Sequence, residues 1–150
     1  MRKTFLLAAL VVAAASLTTA SVALGGGQRS AGAAIVTAHT SRFGRVLFDG
    51  SGRALYLFKR DTGSRSTCSG ACAKAWPPFL TTSAPKRGAG ARASLLGTTK
   101  RANGSRQVTY AGHPLYYFSG DAKPGQITCQ NVVNFGGRWL VVSPSGAPVK

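Results

Sequence analysis

The sequence predicts a mainly β fold: a small antiparallel β domain of two pseudo-repeats with one short helix, after an N-terminal signal peptide. Three observations predict it. Short apolar runs alternate with Gly-rich turns from Phe43 onward. A stretch at Val46–Asp61 recurs at Val108–Asp121. Only one short stretch, stopped by Pro77-Pro78, has helical character. The composition narrows the function classes. The 150 residues include 19 Lys or Arg against 3 acids, a formal charge of +16. With no Glu, helices laced with Glu–Lys pairs are excluded. Asp49, Asp61 and Asp121 are the whole supply of carboxylates, which argues against an acid-pair enzyme. An apolar fraction of 44% is too high for a disordered polycation.

The elements follow in order. Arg2 and Lys3 precede an uncharged apolar run from Phe5 to Leu17, and Thr18-x-Ala20 and Ser21-x-Ala23 supply small-residue cleavage sites. This is the pattern of a secretory signal peptide over residues 1–23. The rival is an uncleaved anchor, since the uncharged run to Leu24 could just span a bilayer. Cleavage removes Arg2 and Lys3 and leaves +14. Residues 24–42, with Gly25-Gly26-Gly27, read as a flexible Gly/Ala/Ser-rich leader. Residues 43–150 form the two-repeat domain: repeat 1 about 43–80, a basic connecting segment 81–106, and repeat 2 about 107–146. In repeat 1, Val46-Leu47-Phe48 and Ala54 to Phe58 flank Asp49-Gly50-Ser51-Gly52, a hairpin signal. A helix is predicted over Ser69–Ala75. In repeat 2, Gln107–Tyr110 and Leu115–Phe118 flank Ala111-Gly112-His113-Pro114 as a second hairpin, and Trp139–Val142 is a further strand. The predicted core is Leu55, Tyr56, Phe58, Trp76, Pro77, Leu115, Tyr116, Phe118 and Trp139.

The internal repeat is the most specific feature. Allowing two extra residues in the first turn, Val46, Gly52, Leu55, Tyr56, Phe58 and Asp61 match Val108, Gly112, Leu115, Tyr116, Phe118 and Asp121. Thr67-Cys68 then matches Thr128-Cys129, and each unit ends in a segment with a Trp, Trp76 or Trp139. One hairpin alone is marginal in water, so duplication implies two halves packed together.

Both units fit Y-x-F-x-x-D. With Cys68-x-x-x-Cys72-x-x-x-Trp76-Pro77-Pro78 and the closing Gly-Arg-Trp-Leu-Val-Val-Ser-Pro, the chain from about Arg45 to Gly146 resembles the bacterial secreted-repeat family. Members of that family are described as predicted lipoproteins with a conserved Yx(FWY)xxD motif. The resemblance implies an exported cell-envelope protein of unestablished function. No Cys lies at the end of the apolar N-terminal run, so the lipid anchor does not carry over.

Each candidate site has two readings. Tyr56 and Phe58, and likewise Tyr116 and Phe118, share a strand face and serve either as core or as an aromatic ligand wall. Asp61 and Asp121 fall at one repeat position. They either accept hydrogen bonds from turn backbone or an Arg, or serve as cation ligands, a role that needs more oxygens than two carboxylates supply. Cys68, Cys72 and Cys129 leave three pairings open in an oxidising compartment. A redox or metal-handling protein using the three thiols and His113 is the alternative function, although the C-x-x-x-C spacing differs from that of thiol oxidoreductases. His39 and His113 otherwise read as solvated. No catalytic constellation, metal site or cofactor is expected.

Lys86, Arg87, Arg92, Lys100, Arg101 and Arg106 form a basic patch. No nucleic-acid motif accompanies it, so no specific nucleic acid is expected. The expected partner is an anionic cell-wall polymer or membrane surface. The leading expectation is thus a non-enzymatic structural or binding module, secreted or in the cell envelope.

Overall fold

A computed structural model describes residues 33–150. The signal-peptide reading at 1–23 and the leader up to residue 32 lie outside the described residues. The chain order is β1 (Ile35–Ser41), β2 (Gly44–Asp49), β3 (Tyr56–Phe58), α1 (Ala71–Ala75), β4 (Lys86–Arg87), a 3-10 turn (Ala93–Leu95), β5 (Leu96–Lys100), β6 (Arg106–Tyr110), β7 (His113–Pro114), β8 (Val132–Asn134) and β9 (Gly137–Val141). They make three three-stranded sheets, in orders β2-β1-β4, β3-β9-β8 and β5-β6-β7. All neighbours are antiparallel except β4, which runs parallel to β1. Over the described residues the fold is mainly β with one short helix, as the sequence predicts.

Four expectations are corrected. The end of the leader, 35–41, is a strand: β1 pairs with β2 along six residue pairs, His39 opposite Val46. The connecting segment is not a mere connector either, because β5 forms a hairpin with β6, Thr98 opposite Val108. Each repeat therefore begins one strand earlier than the motif suggests. The helix spans Ala71–Ala75, two residues shorter at its start than predicted, with Gly70 at φ +54° before it. In the second hairpin only His113–Pro114 continues as a strand, with Tyr116 in isolated bridges beyond it.

Strand alternation explains how so short a β3 organises the molecule. Leu55 and Leu57 face one core with Val36, Leu47, Leu115, Leu140 and Val142. Tyr56 and Phe58 face a second core with Val46, Phe48, Trp76, Tyr116, Trp139 and Val141. Both faces of β3 are buried, so it lies between two packed layers. Pro77 and Phe118, expected in the core, are only half-buried.

The two repeats meet at Tyr56 and Tyr116. Each donates its backbone N–H to the other's carbonyl, at 2.8 and 2.9 Å. This reciprocal bridge places a pseudo-twofold axis between the matched tyrosines.

Candidate functional site

The repeated motif is built outward from that axis. After β3, a turn closed by Asp61 N–H to the Phe58 carbonyl sets the carboxylate of repeat 1; Asp121 N–H to the Phe118 carbonyl does the same in repeat 2. The tyrosines then cross over. Tyr56 Oη donates to Asp121 Oδ2 at 2.6 Å, and Tyr116 Oη donates to Asp61 Oδ2 at 2.8 Å. The other carboxylate oxygen stays within its own repeat. Asp61 Oδ1 accepts from Thr67 N at 2.7 Å and Thr67 Oγ1 at 3.0 Å. Asp121 Oδ1 accepts from Thr128 N at 3.0 Å and Thr128 Oγ1 at 2.6 Å. Each aspartate thus joins the Tyr of the opposite repeat to the Thr of its own. The backbone donors are Thr67 and Thr128, not the turn residues directly after each acid.

Burial sets the electrostatics. It raises the Tyr56 phenol, with the hydrogen bond and charge of Asp121 adding to the effect. Burial also raises Tyr116, with the Asp61 charge adding and the Ser66 hydrogen bond opposing. Both phenols stay protonated and act as donors. Burial likewise pushes the Asp61 carboxyl above the usual carboxylate range, against the lowering pull of Thr67, Tyr116 and Arg101. An acid whose folded pKa is raised contributes stability below its unfolded pKa, and that contribution is lost as pH rises through the folded pKa. Wild-type protein should therefore gain stability relative to Asp61→Asn as pH falls from neutral towards about 4. Denaturant midpoints at the two pH values check this, and a gain in the opposite direction would overturn it.

The ring stack shares the same symmetry. Phe58 stacks on Trp139 at 4.1 Å, Trp139 on Trp76 at 4.0 Å, and Phe118 tilts against Trp76 at 4.7 Å. Tyr56 sets its edge on Trp76 at 5.3 Å and Tyr116 on Trp139 at 5.2 Å. The aromatic wall considered from sequence is thus the joint between the repeats, closed to solvent except at half-buried Phe118. One asymmetry stands out: Trp139 Nε1 donates to the Asn134 carbonyl at 3.1 Å, whereas buried Trp76 Nε1 has no partner among the described residues.

Several residues of the joint escape a sequence reading. Arg101, assigned to the basic patch, is half-buried and turned inward instead. Its Nη1 donates to Ser66 Oγ at 2.7 Å and Gln107 Oε1 at 2.6 Å, and its Nη2 to the Cys68 carbonyl at 2.6 Å. Asp49 caps the first hairpin turn through Ser51 N and Arg53 N, both at 2.9 Å, and accepts from Tyr117 Oη at 2.9 Å. The one available signal was the Thr recurring after each motif aspartate.

The cysteines resolve into a Cys68–Cys72 disulfide and a free Cys129. Cys72 lies on α1 and Cys68 just before it, so the bridge is local to repeat 1 and does not staple the repeats. Burial and the Asp121 charge push the Cys129 thiol up, opposite to the shift that makes a cysteine reactive. Among the described residues no group of three or more His, Cys, Asp or Glu is placed to hold a metal ion. His113 is half-buried on β7, its imidazole pKa lowered by burial and Lys59. Thiol titration of the native protein should count one thiol, reacting more slowly than free cysteine; a fast-reacting thiol would contradict the burial of Cys129. Reduction should add two thiols and cost only about 2 kcal/mol, because the bridge closes a very short loop.

Among the described residues no helix is long and apolar enough to cross a membrane. A lipoprotein family model, described as a secreted repeat of unknown function, matches residues 37–79 and 97–143. The two matches begin within β1 and β5, the strands that the motif alone leaves out of each repeat. No curated protein and no solved structure matches the chain.

Proposed function

From the premise that the chain belongs to this secreted-repeat family, we propose that it is an exported, non-enzymatic module whose exposed basic side chains hold it against anionic envelope surfaces. One observation carries this reading. The three carboxylates are all committed to hydroxyl and backbone N–H donors, and none of those partners is a Lys or Arg side chain. Meanwhile Lys86, Arg87, Arg92, Lys100 and Arg106 are exposed. Folding hides the negative charge and leaves the positive charge outside, which attracts polyanions at long range. Arg87 and Arg106, on separate strands, line one open cleft of about 340 Å³ with Pro85 and Leu96, and guanidinium groups are suited to phosphate. The tyrosine–aspartate motif supports this role as architecture, since its polar atoms are engaged inside the joint.

Retention tests this reading. The protein should bind a phosphodiester wall polymer, or vesicles rich in anionic phospholipid, at low salt and release as the screening length falls to about 3 Å near 1 M. Arg87→Gln with Arg106→Gln should release at lower salt. Binding that ignores salt, or none at low ionic strength, overturns the proposal, and the two surfaces separate wall from membrane.

A further inference from the structure

The pseudo-twofold axis allows each repeat to be compared with the other, and one position differs in a way that opens a site. His39 pairs with Val46, and Thr98 with Val108. Because Val46 and Val108 are matched, counting forward places Arg42 and Arg101 at one repeat position, each just past the end of the first strand of its hairpin. Both reach across to a carbonyl of the opposite repeat: Arg42 Nη2 to Ile127 O at 2.8 Å, Arg101 Nη2 to Cys68 O at 2.6 Å. On the Arg101 side the space beneath is filled by polar groups that bond one another. Ser66 Oγ accepts from Arg101 Nη1 and shares a 2.7 Å hydrogen bond with Tyr116 Oη, whose own proton goes to Asp61; Gln107 Oε1 accepts from Arg101, and its Nε2 donates to the Leu115 carbonyl. On the Arg42 side Ser66 is replaced by Ile127 and Gln107 by Arg45, and neither can complete that network. A cleft of about 590 Å³ opens there instead, between the β1–β2 hairpin and the 125–128 loop.

The lining of the cleft specifies a ligand. Phe48 and Ile127 give it an apolar floor, with the His39 ring tilted 5.8 Å from Phe48. Gly52 and Gly125 bring bare backbone to its rim, tied by Gly125 N to Gly52 O at 2.8 Å, and both hold positive φ that other residues rarely adopt. The Arg42 guanidinium is held by the Ile127 carbonyl and lies 4.7 Å over the Phe43 ring, so its orientation is set before any ligand arrives. No carboxylate lines the cleft, and Thr128 at its wall already engages Asp121. The geometry points to a binding site for a small organic anion: a flat apolar body against Phe48 and Ile127, and one carboxylate or sulfonate on Arg42. This site is separate from the basic residues on β4–β6, so either proposal stands if the other fails.

Naphthalenesulfonate tests the inference, read by amide NMR shifts on the full chain. Saturable one-to-one binding is expected, with shifts centred on residues 39–42 and 125–128. Neutral naphthol should bind at least roughly tenfold more weakly, the loss expected for a charge-assisted hydrogen bond. Arg42→Gln should weaken the sulfonate by a similar factor, and Arg106→Gln should leave it unchanged. Thr40→Phe, at an exposed strand position on the cleft wall, should abolish binding while the spectrum stays folded. That variant keeps the test decisive even if losing Arg42 perturbs the hairpin. Wild-type affinity in either cleft variant, equal affinity for naphthol, or shifts scattered over the surface would overturn the assignment.

Discussion

Replacing Asp121 with alanine should destabilise the domain by about 3–5 kcal/mol, a large share of what a domain of this size possesses. Asp121 is 4% exposed and accepts from Tyr56 Oη, Thr128 N and Thr128 Oγ1. Alanine leaves three donors without an acceptor, one of them on a tyrosine with no exposure at all. A double-mutant cycle carries the sharper test. Tyr56→Phe and Asp121→Asn should couple by about 1 kcal/mol or more, whereas Tyr56→Phe and Asp61→Asn should be additive within a few tenths. Chemical denaturation with the disulfide kept oxidised measures both. Coupling within a repeat instead of across repeats would show that the tyrosines do not exchange partners.

Trp139→Ala should cost a further large amount, about 3–5 kcal/mol, because Trp139 sits between Phe58 and Trp76 in the stack and takes the edge of Tyr116. The milder pair of substitutions is more informative. Trp139→Phe removes a ring and a hydrogen bond to Asn134; Trp76→Phe removes a ring whose N–H has no partner among the described residues. The Trp139 change should therefore be worse by about 1 kcal/mol. Equal costs, or a larger cost at Trp76, would mean that the Trp76 N–H is satisfied in solution.

Much of this joint is legible in the sequence. The matched Tyr, Phe, Asp, Thr and Trp positions name nearly every group in it, and the Asp49–Gly52 turn closes as its residues suggest, with Asp49 accepting from Ser51 and Arg53. The outer strands were less legible for definite reasons. In Ile35–Ser41 the inward residues include small Ala38 and the outward ones include apolar Ile35 beside Thr37 and His39, a weak alternation at the end of a Gly/Ala-rich stretch. Leu96–Lys100 is an edge strand with no fully buried residue, so burial leaves no pattern in it and only Thr propensity marks it. Arg101 looked like every other cation in a basic segment, because nothing local distinguishes an inward guanidinium from a solvated one.

Two units, an aromatic strand and an acid at the same position in each, and a large excess of positive charge can all be read from the sequence. Those are properties of composition and period, and packing cannot alter them. The pairing of Tyr56 with Asp121 and of Tyr116 with Asp61 is set by how the repeats pack. Two copies of one motif offer identical donors and acceptors, so sequence cannot say whether a hydroxyl bonds the acid of its own copy or of the other. The choice follows from the backbone bridge at Tyr56 and Tyr116, which sets the two strands side by side and brings each hydroxyl to the carboxylate of the opposite repeat. The same packing closes the space beside Arg101 and leaves the cleft beside Arg42 open, at two arginines that the strand registers place at one repeat position.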